Sequence, residues 1–216
     1  MKKIKAISFF VALMLHLSMF AQDAQLGNPK ANLISNQFGI KAGVNASQFY
    51  GDGPLAHDNN KSMFGYHGGV FARFMLNQSF AIQPELLYSV KGNVTPSTAP
   101  EGSIKIASKY LIFDALFKYF LNKTVDFHIG PEVGYLMKAE TKFDADPLDP
   151  NEEKLTEVFE ELDYGMVVGV ELHLNEKLSL GLRYNPMFSD VGLKRGRWDL
   201  TETKNTSLLL YGTFGF

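Results

Sequence analysis

Apolar and polar residues alternate in eight segments of the chain. One face of each segment carries aliphatic and aromatic residues, and the other carries glycine, small polar and charged residues. In residues 37–49, for example, Phe38 lies on the apolar face and Lys41 on the other. A period of two residues is typical of β-strands whose two faces meet different surroundings. The pattern predicts an all-β protein with eight strands.

The connections between these strands alternate between short and long. The strands are predicted at residues 37–49, 63–76, 79–91, 108–120, 125–138, 163–174, 177–188 and 206–216. Tight turns at Asn77, Asn122 and Asn175 follow every second strand, and the other connections are longer. An even strand number with short turns at one end and long loops at the other is typical of outer-membrane barrels. We therefore expect an eight-stranded antiparallel up-and-down transmembrane β-barrel with short periplasmic turns, long external loops and both termini in the periplasm.

The last predicted strand, residues 206–216, is apolar and aromatic and ends on Phe216. An unprotected edge strand of this kind invites aggregation, whereas in a closed barrel the last strand pairs with the first. We predict that this strand closes on residues 37–49. We also predict that Phe214 and Phe216 form the assembly signal recognised by the barrel-assembly machinery.

The first residues follow the plan of a secretory signal peptide. A basic start is followed by an apolar run over residues 6–20 and a small residue, Ala21. We predict a signal peptide at residues 1–21, a flexible periplasmic lead-in at 22–35 and the barrel domain at 36–216. A retained N-terminal anchor helix is the alternative. The chain has no cysteine, which excludes a lipoprotein anchor and disulfides.

The composition of the chain excludes some classes of protein. Without the three lysines of the signal peptide, the chain keeps 18 basic and 23 acidic residues, a net charge of −5, which does not fit a nucleic-acid-binding protein. Mean hydropathy is near zero, and no second apolar run is long enough for a membrane helix. A membrane protein with these values must be a barrel, because its strands bury only every second residue in lipid.

The polar face carries acidic and basic residues in nearly equal numbers. The candidate lumen charge network is Arg73, Glu85, Asp114, Lys118, Glu132, Glu171 and Arg183. The interior of an eight-stranded barrel is just filled by side chains. We therefore expect a salt-bridged plug and not a conducting pore. A soluble ligand-binding barrel would use the same alternation in the opposite sense, and it remains an alternative.

Candidate catalytic and metal-binding groups are few. His67, His128 and His173 share the polar face, whereas a lipid-modifying barrel enzyme would need His and Ser on the membrane face. His128 and Glu132 are about 13 Å apart along a strand, too far to pair directly. No histidine pair has metal-ligand spacing. We expect no catalytic residue, no cofactor and no metal, with a lipid-modifying outer-membrane enzyme as the alternative.

The connection at residues 139–162 is long and acidic, and its second half has helical spacing. Residues 149–152 read as an N-cap, a proline at the first helical position and a capping-box glutamate. Leu155, Val158 and Phe159 then form one apolar stripe. We predict a short amphipathic helix in an external loop, with its stripe covered by the barrel rim or by an envelope protein partner.

Several short motifs resemble the PorT-like outer-membrane β-barrel family common in Bacteroidota. They are GIKAGVN at residues 39–45, IQPELLYSVKG at 82–92, the glycine-rich segment 130–135 and DYG at 163–165. The resemblance covers about residues 37–216, although Gly212 lies one place from the glycine expected in the closing strand. It implies insertion in the outer membrane, in some members linked to protein secretion or motility, and no catalytic residues.

These observations together predict a non-enzymatic barrel of the Gram-negative outer membrane that acts as a structural or protein-interaction component. Its expected partners are outer-membrane lipid, the barrel-assembly machinery and an envelope protein bound through the external loops.

Overall fold

The computed structural model describes residues 35–53, 56, 60–96, 103–143, 153–154, 159–192, 194–195, 198–199 and 201–216. The predicted signal peptide lies outside these residues, as does the predicted lead-in apart from Ser35. Among the residues described, no helix is long and apolar enough to cross a membrane.

Eleven strands are described. They are β1 (Gln37–Gly51), β2 (Lys61–Met75), β3 (Phe80–Pro96), β4 (Ser103–Phe120), β5 (Val125–Phe143), β6 (Glu153–Lys154), β7 (Leu162–His173), β8 (Leu178–Pro186), β9 (Lys194–Arg195), β10 (Trp198–Asp199) and β11 (Thr203–Gly215). The eight long strands follow the order β4-β3-β2-β1-β11-β8-β7-β5, and β5 pairs back onto β4. Every pairing is antiparallel, so the predicted eight-stranded barrel is confirmed.

Closure occurs where the sequence predicts it. β11 pairs with β1 from Gly39↔Gly215 to Gly51↔Thr203. The N–H of Phe216 adds a hydrogen bond of 2.8 Å to the carbonyl oxygen of Phe38. The last strand therefore has no free edge over this length. We name the end that carries Phe216 and the three tight turns the turn end, and the opposite end the loop end.

Three strands, β3, β4 and β5, run five residues further toward the loop end than predicted. β3 reaches Pro96, and its final residues pair in continuous register with the start of β4, from Gly92↔Ala107 to Pro96↔Ser103. The prediction ended this strand at Lys91 and assigned the next residue, Gly92, to a long loop. Its role here is close approach, since a Cβ at this position would lie 1.9 Å from the carbonyl oxygen of Ile106. β5 likewise continues to Phe143.

The predicted helix of the acidic connection is wrong wherever the structure describes that segment. Glu153 and Lys154 form the short strand β6 on β5, and Phe159 makes an isolated β-bridge with Gly192. The free edge of the extended β5 offers backbone partners, and this pairing overrides the local capping signal. Leu155 and Val158 lie outside the described residues.

The apolar face of the barrel points outward. Large exposed side chains along the strands include Phe38, Ile40, Val44, Tyr66, Val70, Ile82, Phe117, Phe127, Ile129, Val168, Leu180, Leu182, Tyr184, Leu208 and Leu210. The opposite face is buried in the lumen and carries polar and charged residues. A soluble barrel has its apolar face inside, so this arrangement excludes the soluble ligand-binding alternative and fits a barrel surrounded by lipid.

Aromatic residues bound this apolar surface at both ends. Near the turn end lie Phe38, Phe74, Phe80, Tyr119, Phe127 and Phe214, and near the loop end Tyr66, Tyr88, Tyr135, Tyr164 and Tyr184. Neighbouring rings are in contact, with centroids 5.1 Å apart for Phe80 and Tyr119. Paired aromatic girdles are typical of membrane barrels. They set the limits of the membrane-spanning part of each strand.

Candidate functional site: the charged lumen

Arg183 on β8 and Glu85 on β3 form the centre of the lumen. The guanidinium binds the carboxylate with two hydrogen bonds of 2.8 Å, and both side chains are fully buried. Lys41 Nζ lies 2.5 Å from Glu85 Oε1, and the amide of Gln83 donates to the same oxygen at 2.7 Å. Glu85 therefore pairs with two cations, and the bidentate pair fixes its orientation.

A closed ring of side chains runs through this centre. In order, it consists of Arg183, Glu85, Gln83, Arg73, Glu171, Lys118, Asp126 and His128, which contacts Arg183 again. We call it the charge ring. Every step measures between 2.7 and 3.2 Å. Its members come from six of the eight barrel strands, which makes the network a bridge across the whole lumen.

His128 has a defined tautomer within the charge ring. Arg183 Nε donates to its Nε2 at 3.0 Å, so this nitrogen is an acceptor and the imidazole is neutral. The proton then lies on Nδ1, which is 3.2 Å from Asp126 Oδ1. His128 links a cation to an anion without adding charge.

Tyr211 on β11 connects the remaining strands to the charge ring. Its hydroxyl donates to Glu171 Oε2 at 3.0 Å, and its ring centre lies 4.1 Å from Lys41 Nζ and 4.7 Å from Arg183 Cζ. These are cation–π distances. Gly181 makes room for the ring, because a Cβ there would lie 2.1 Å from it. With Lys41 on β1 and Tyr211 on β11, all eight barrel strands contribute to one network.

The structure divides the seven residues of the predicted lumen network between two groups. All seven predicted residues are buried in the lumen. Asp114 lies 3.4 Å from Arg183 Nη1 and joins the charge ring at its margin. Glu132 does not join it, because it pairs with Lys91 and accepts from Asn185 nearer the loop end.

The prediction missed several members. The alternation assigns Lys41, Gln83, Lys91 and Asp126 to the lumen face, but it does not say which of them meet. Asp163 was also missed; it accepts hydrogen bonds from Ser189 and Asn205 and, like Lys91 and Glu132, lies nearer the loop end. With Lys41 and Asp126 included, four cations face four carboxylates around the charge ring: Lys41, Arg73, Lys118 and Arg183 against Glu85, Asp114, Asp126 and Glu171.

Three potential metal ligands converge at the turn end. Ligand atoms of Asp126, Glu171 and His173 lie within 4.8 Å of one another, a group that sequence spacing did not indicate. Lys118 Nζ lies 3.0 Å from the carboxylate of Asp126 and 3.1 Å from that of Glu171. The ammonium already supplies the positive charge, so a metal ion would have to displace it.

One hydrogen-bonded chain has the order nucleophile, base, acid. Ser179 Oγ lies 2.9 Å from His173 Nδ1, and His173 Nε2 lies 2.6 Å from Asp126 Oδ2. Ser179 and His173 are directly opposite each other in the β7–β8 hairpin. Asp126 is also an ion-pair partner of Lys118, which ties this chain to the charge ring.

Aromatic side chains cover the charge ring at the turn end. Phe71 and Phe120 are buried, and the Arg73 guanidinium carbon lies 5.8 and 5.7 Å from their ring centres. Phe120 also packs on the ring of His173, with centroids 5.5 Å apart.

A buried apolar cluster covers the lumen at the loop end. We call it the apolar cap; it consists of Phe49, Leu87, Ile106, Tyr110, Ile112, Leu136, Ala139, Phe159 and Val191. The loops that carry Phe159 and Val191 are held by backbone hydrogen bonds, from Glu160 to Val191 and from Val191 to Thr203. Phe159 is only 3% exposed, so the barrel itself covers this part of the predicted stripe.

Comparison with known proteins identifies the family. Residues 20–191 match the model of the outer membrane protein beta-barrel domain. The chain belongs to this family. A search of curated protein sequences finds no match.

Several solved outer membrane proteins are similar to this chain. Neisserial surface protein A is 14% identical, covers 83% of this chain and 97% of its own, and has a TM-score of 0.54. Ail of Yersinia pestis, in complex with the heparin analogue sucrose octasulfate, is 14% identical over 85% of this chain and 100% of its own, with a TM-score of 0.48. OprG of Pseudomonas aeruginosa is 13% identical over 84% and 96%, with a TM-score of 0.41. The TM-score of Neisserial surface protein A shows a likeness of fold, and at 14% identity the likeness concerns the fold alone.

Proposed function

We propose that this outer membrane barrel is a closed, non-enzymatic scaffold that works through its loops and its lipid-facing surface. The observation that carries the proposal is the lumen of the described residues, which the charge ring bridges from strand to strand and the apolar cap covers at the loop end. Pure protein in planar bilayers should then give no stable conductance. Steady open-channel currents would contradict the closed-scaffold proposal.

The turn end faces the periplasm in this proposal, which is the usual orientation of barrels with short turns. The chain has no cysteine, so single substitutions can report orientation on whole cells. A membrane-impermeant maleimide should label Asp52→Cys at the loop end and leave Lys123→Cys at a tight turn unlabelled. The reverse pattern would show that the orientation is wrong.

The absence of catalysis is also part of the proposal. The Ser179–His173–Asp126 chain is the strongest candidate for a hydrolase among the described residues. Ser179 is buried, Asp126 is shared with Lys118, and an acyl transfer would need an accessible nucleophile beside oxyanion donors. A fluorophosphonate probe should therefore leave folded protein unlabelled. Labelling that disappears in Ser179→Ala would contradict a non-enzymatic role.

We further propose that Phe214 and Phe216 act as the signal for the barrel-assembly machinery. Their rings pack edge to face, 5.6 Å between centroids, on the lipid side of the turn end. Phe216→Asp should reduce the amount of folded barrel in the outer membrane severalfold, whereas Phe64→Asp, an equally exposed apolar position at the other end, should reduce it less. Equal levels for Phe216→Asp and wild type would refute the assembly role.

The PorT-like relationship, with its link to secretion or motility, remains a finer proposal supported by the motif at residues 82–92. An envelope protein partner would then meet the connection between β5 and β6. Replacing residues 144–152 by a short turn should leave the barrel folded, because closure entropy changes slowly with loop length. It should also remove partner cross-links, and unchanged cross-links would place the contact elsewhere.

A further inference from the structure

Among the side chains that the structure describes, four lysines lie on the outward face of β2, β4 and β5 beyond the loop-end aromatic girdle, in two rows that are four residues apart along β4. Lys109 and Lys138 are directly opposite each other in the β4–β5 pairing. Lys61 and Lys105 lie in one row across the sheet, both paired with Val94 of β3. We call these four residues the basic patch. It faces the same side as the apolar surface that meets the lipid.

The strand register gives the distance between the aromatic girdle and the nearer row of the basic patch, Lys109 and Lys138. Tyr88, Leu111 and Tyr135 form one row of the girdle, and Lys109 is two residues beyond Leu111. Two residues of a strand span about 7 Å. The interfacial layer of a bilayer adds roughly 5–8 Å beyond the hydrocarbon core on each side. Lys109 and Lys138 therefore reach the level of the lipid headgroups.

The charge of the basic patch is only partly neutralised. Like charges directly opposite each other destabilise a sheet. Glu140 lies between the two opposed lysines, 3.0 Å from Lys109 Nζ and in contact with Lys138. Hydrogen bonds from Lys138 and Lys109 lower the pKa of Glu140, so it stays ionised near neutral pH. In the part of the chain that the structure describes, one carboxylate for two ammonium groups leaves a positive excess, and Lys61 and Lys105 extend this basic surface further toward the loop end.

Apolar side chains beside the basic patch suit acyl chains. Phe64 is 81% exposed on the same outward surface, and the rings of Tyr66 and Tyr88 lie 6.3 Å apart below Lys109. Lysine ammonium groups are point charges that bind phosphate well. A lipid that carries phosphate at the headgroup and acyl chains below it matches both parts of the surface.

We propose that the basic patch binds the phosphate groups of an anionic lipid in the leaflet at the loop end. With the orientation proposed above, this is the outer leaflet, and this assignment alone rests on the proposed function. The binding itself is a property of the purified barrel. The two ideas can therefore fail separately, since cysteine labelling tests the orientation and lipid binding tests the site.

Native mass spectrometry of the full barrel in micelles can measure this binding. Bisphosphorylated lipid A would be the anionic probe and phosphatidylcholine the zwitterionic one. Wild type should retain lipid A. The Lys109→Gln/Lys138→Gln variant should bind lipid A about 30-fold more weakly, because it loses the attraction that two basic residues typically contribute near an anionic surface. Lys123→Gln/Lys177→Gln, which removes two exposed lysines from the turn end, should bind it like wild type. Lys109→Arg/Lys138→Arg should retain most binding.

Each outcome decides the proposal. Equal lipid A retention in the Lys109→Gln/Lys138→Gln barrel and the turn-end control would overturn it, as would equal retention of both lipids by wild type. Millimolar inorganic phosphate that displaces lipid A completely would show that the patch recognises a free anion and not a lipid. Migration of unheated and heated samples on a gel would confirm that every variant is folded before binding is compared.

Discussion

The charge ring and the apolar cap close the same lumen by different means. The charge ring consists of directional contacts, each of which needs one partner at one distance, whereas the apolar cap consists of side chains that exclude water without fixed pairing. A buried ion that loses its partner keeps the full cost of desolvation. A shortened apolar side chain leaves a cavity that neighbours can partly fill. The two closures should therefore differ in their tolerance of substitution.

The largest effect is expected at the centre of the charge ring. Glu85→Gln keeps the shape of the side chain but removes the negative charge shared by Arg183 and Lys41. We expect the free energy of unfolding in detergent to fall by about 3–5 kcal/mol, the range for breaking a buried ion pair. Denaturant titration followed by tryptophan fluorescence or gel shift would measure it.

A second substitution tests the cause of that loss. Lys41→Met in the Glu85→Gln background removes the surplus cation and should recover part of the stability. If the double variant is as unstable as the sum of the two single variants, the charge balance is not what Glu85 provides.

The apolar cap should show a smaller effect. Phe159→Ala removes a buried ring from the cluster and should destabilise the barrel by about 3 kcal/mol through the cavity it leaves. Leu162→Ala, at an exposed position three residues later, should change stability by no more than about 0.5 kcal/mol. A Phe159→Ala cost above that of Glu85→Gln would reverse the comparison.

The smallest effect is expected at the turn end of the lumen. Ser179→Ala removes one hydrogen bond to His173 and should cost about 1 kcal/mol. Ser62→Ala removes an exposed hydrogen bond to Gln48 and should cost less. A large loss at Ser179 would show that the turn-end chain supports more of the lumen than its single bond indicates.

The barrel could be predicted well from the sequence because the two-residue period of a strand does not depend on its register with the neighbouring strands. Alternation gives the number of strands and, where the register is regular, the face of each residue; the structure places all seven network residues in the lumen. It cannot give the stagger between strands, which decides that Glu85 meets Arg183, 98 residues away, while Glu132 meets Lys91. Partners across a lumen are therefore a tertiary property.

Two errors of the sequence prediction, the helix in the acidic connection and the end of β3, have local causes. Residues 149–152 carry good helix-capping chemistry, yet the free edge of β5 recruits Glu153 and Lys154 into a strand. Glycine is common in turns, yet Gly92 lies within the continuous antiparallel pairing of β3 with β4. In both places the local signal was real and pairing with a neighbouring strand was stronger.

The contribution of all eight strands to one lumen network has a consequence for how the barrel forms. Lys41 comes from the first strand and Tyr211 from the last, so their contacts to Glu85 and Glu171 are complete only after the two ends of the sheet meet. A curled but unclosed sheet would present unmatched carboxylates to the membrane interior, where charge is costly. The pairing of β1 with β11 and the dehydration of the lumen should therefore be a single cooperative event, in which water leaves the lumen only as these two strands pair.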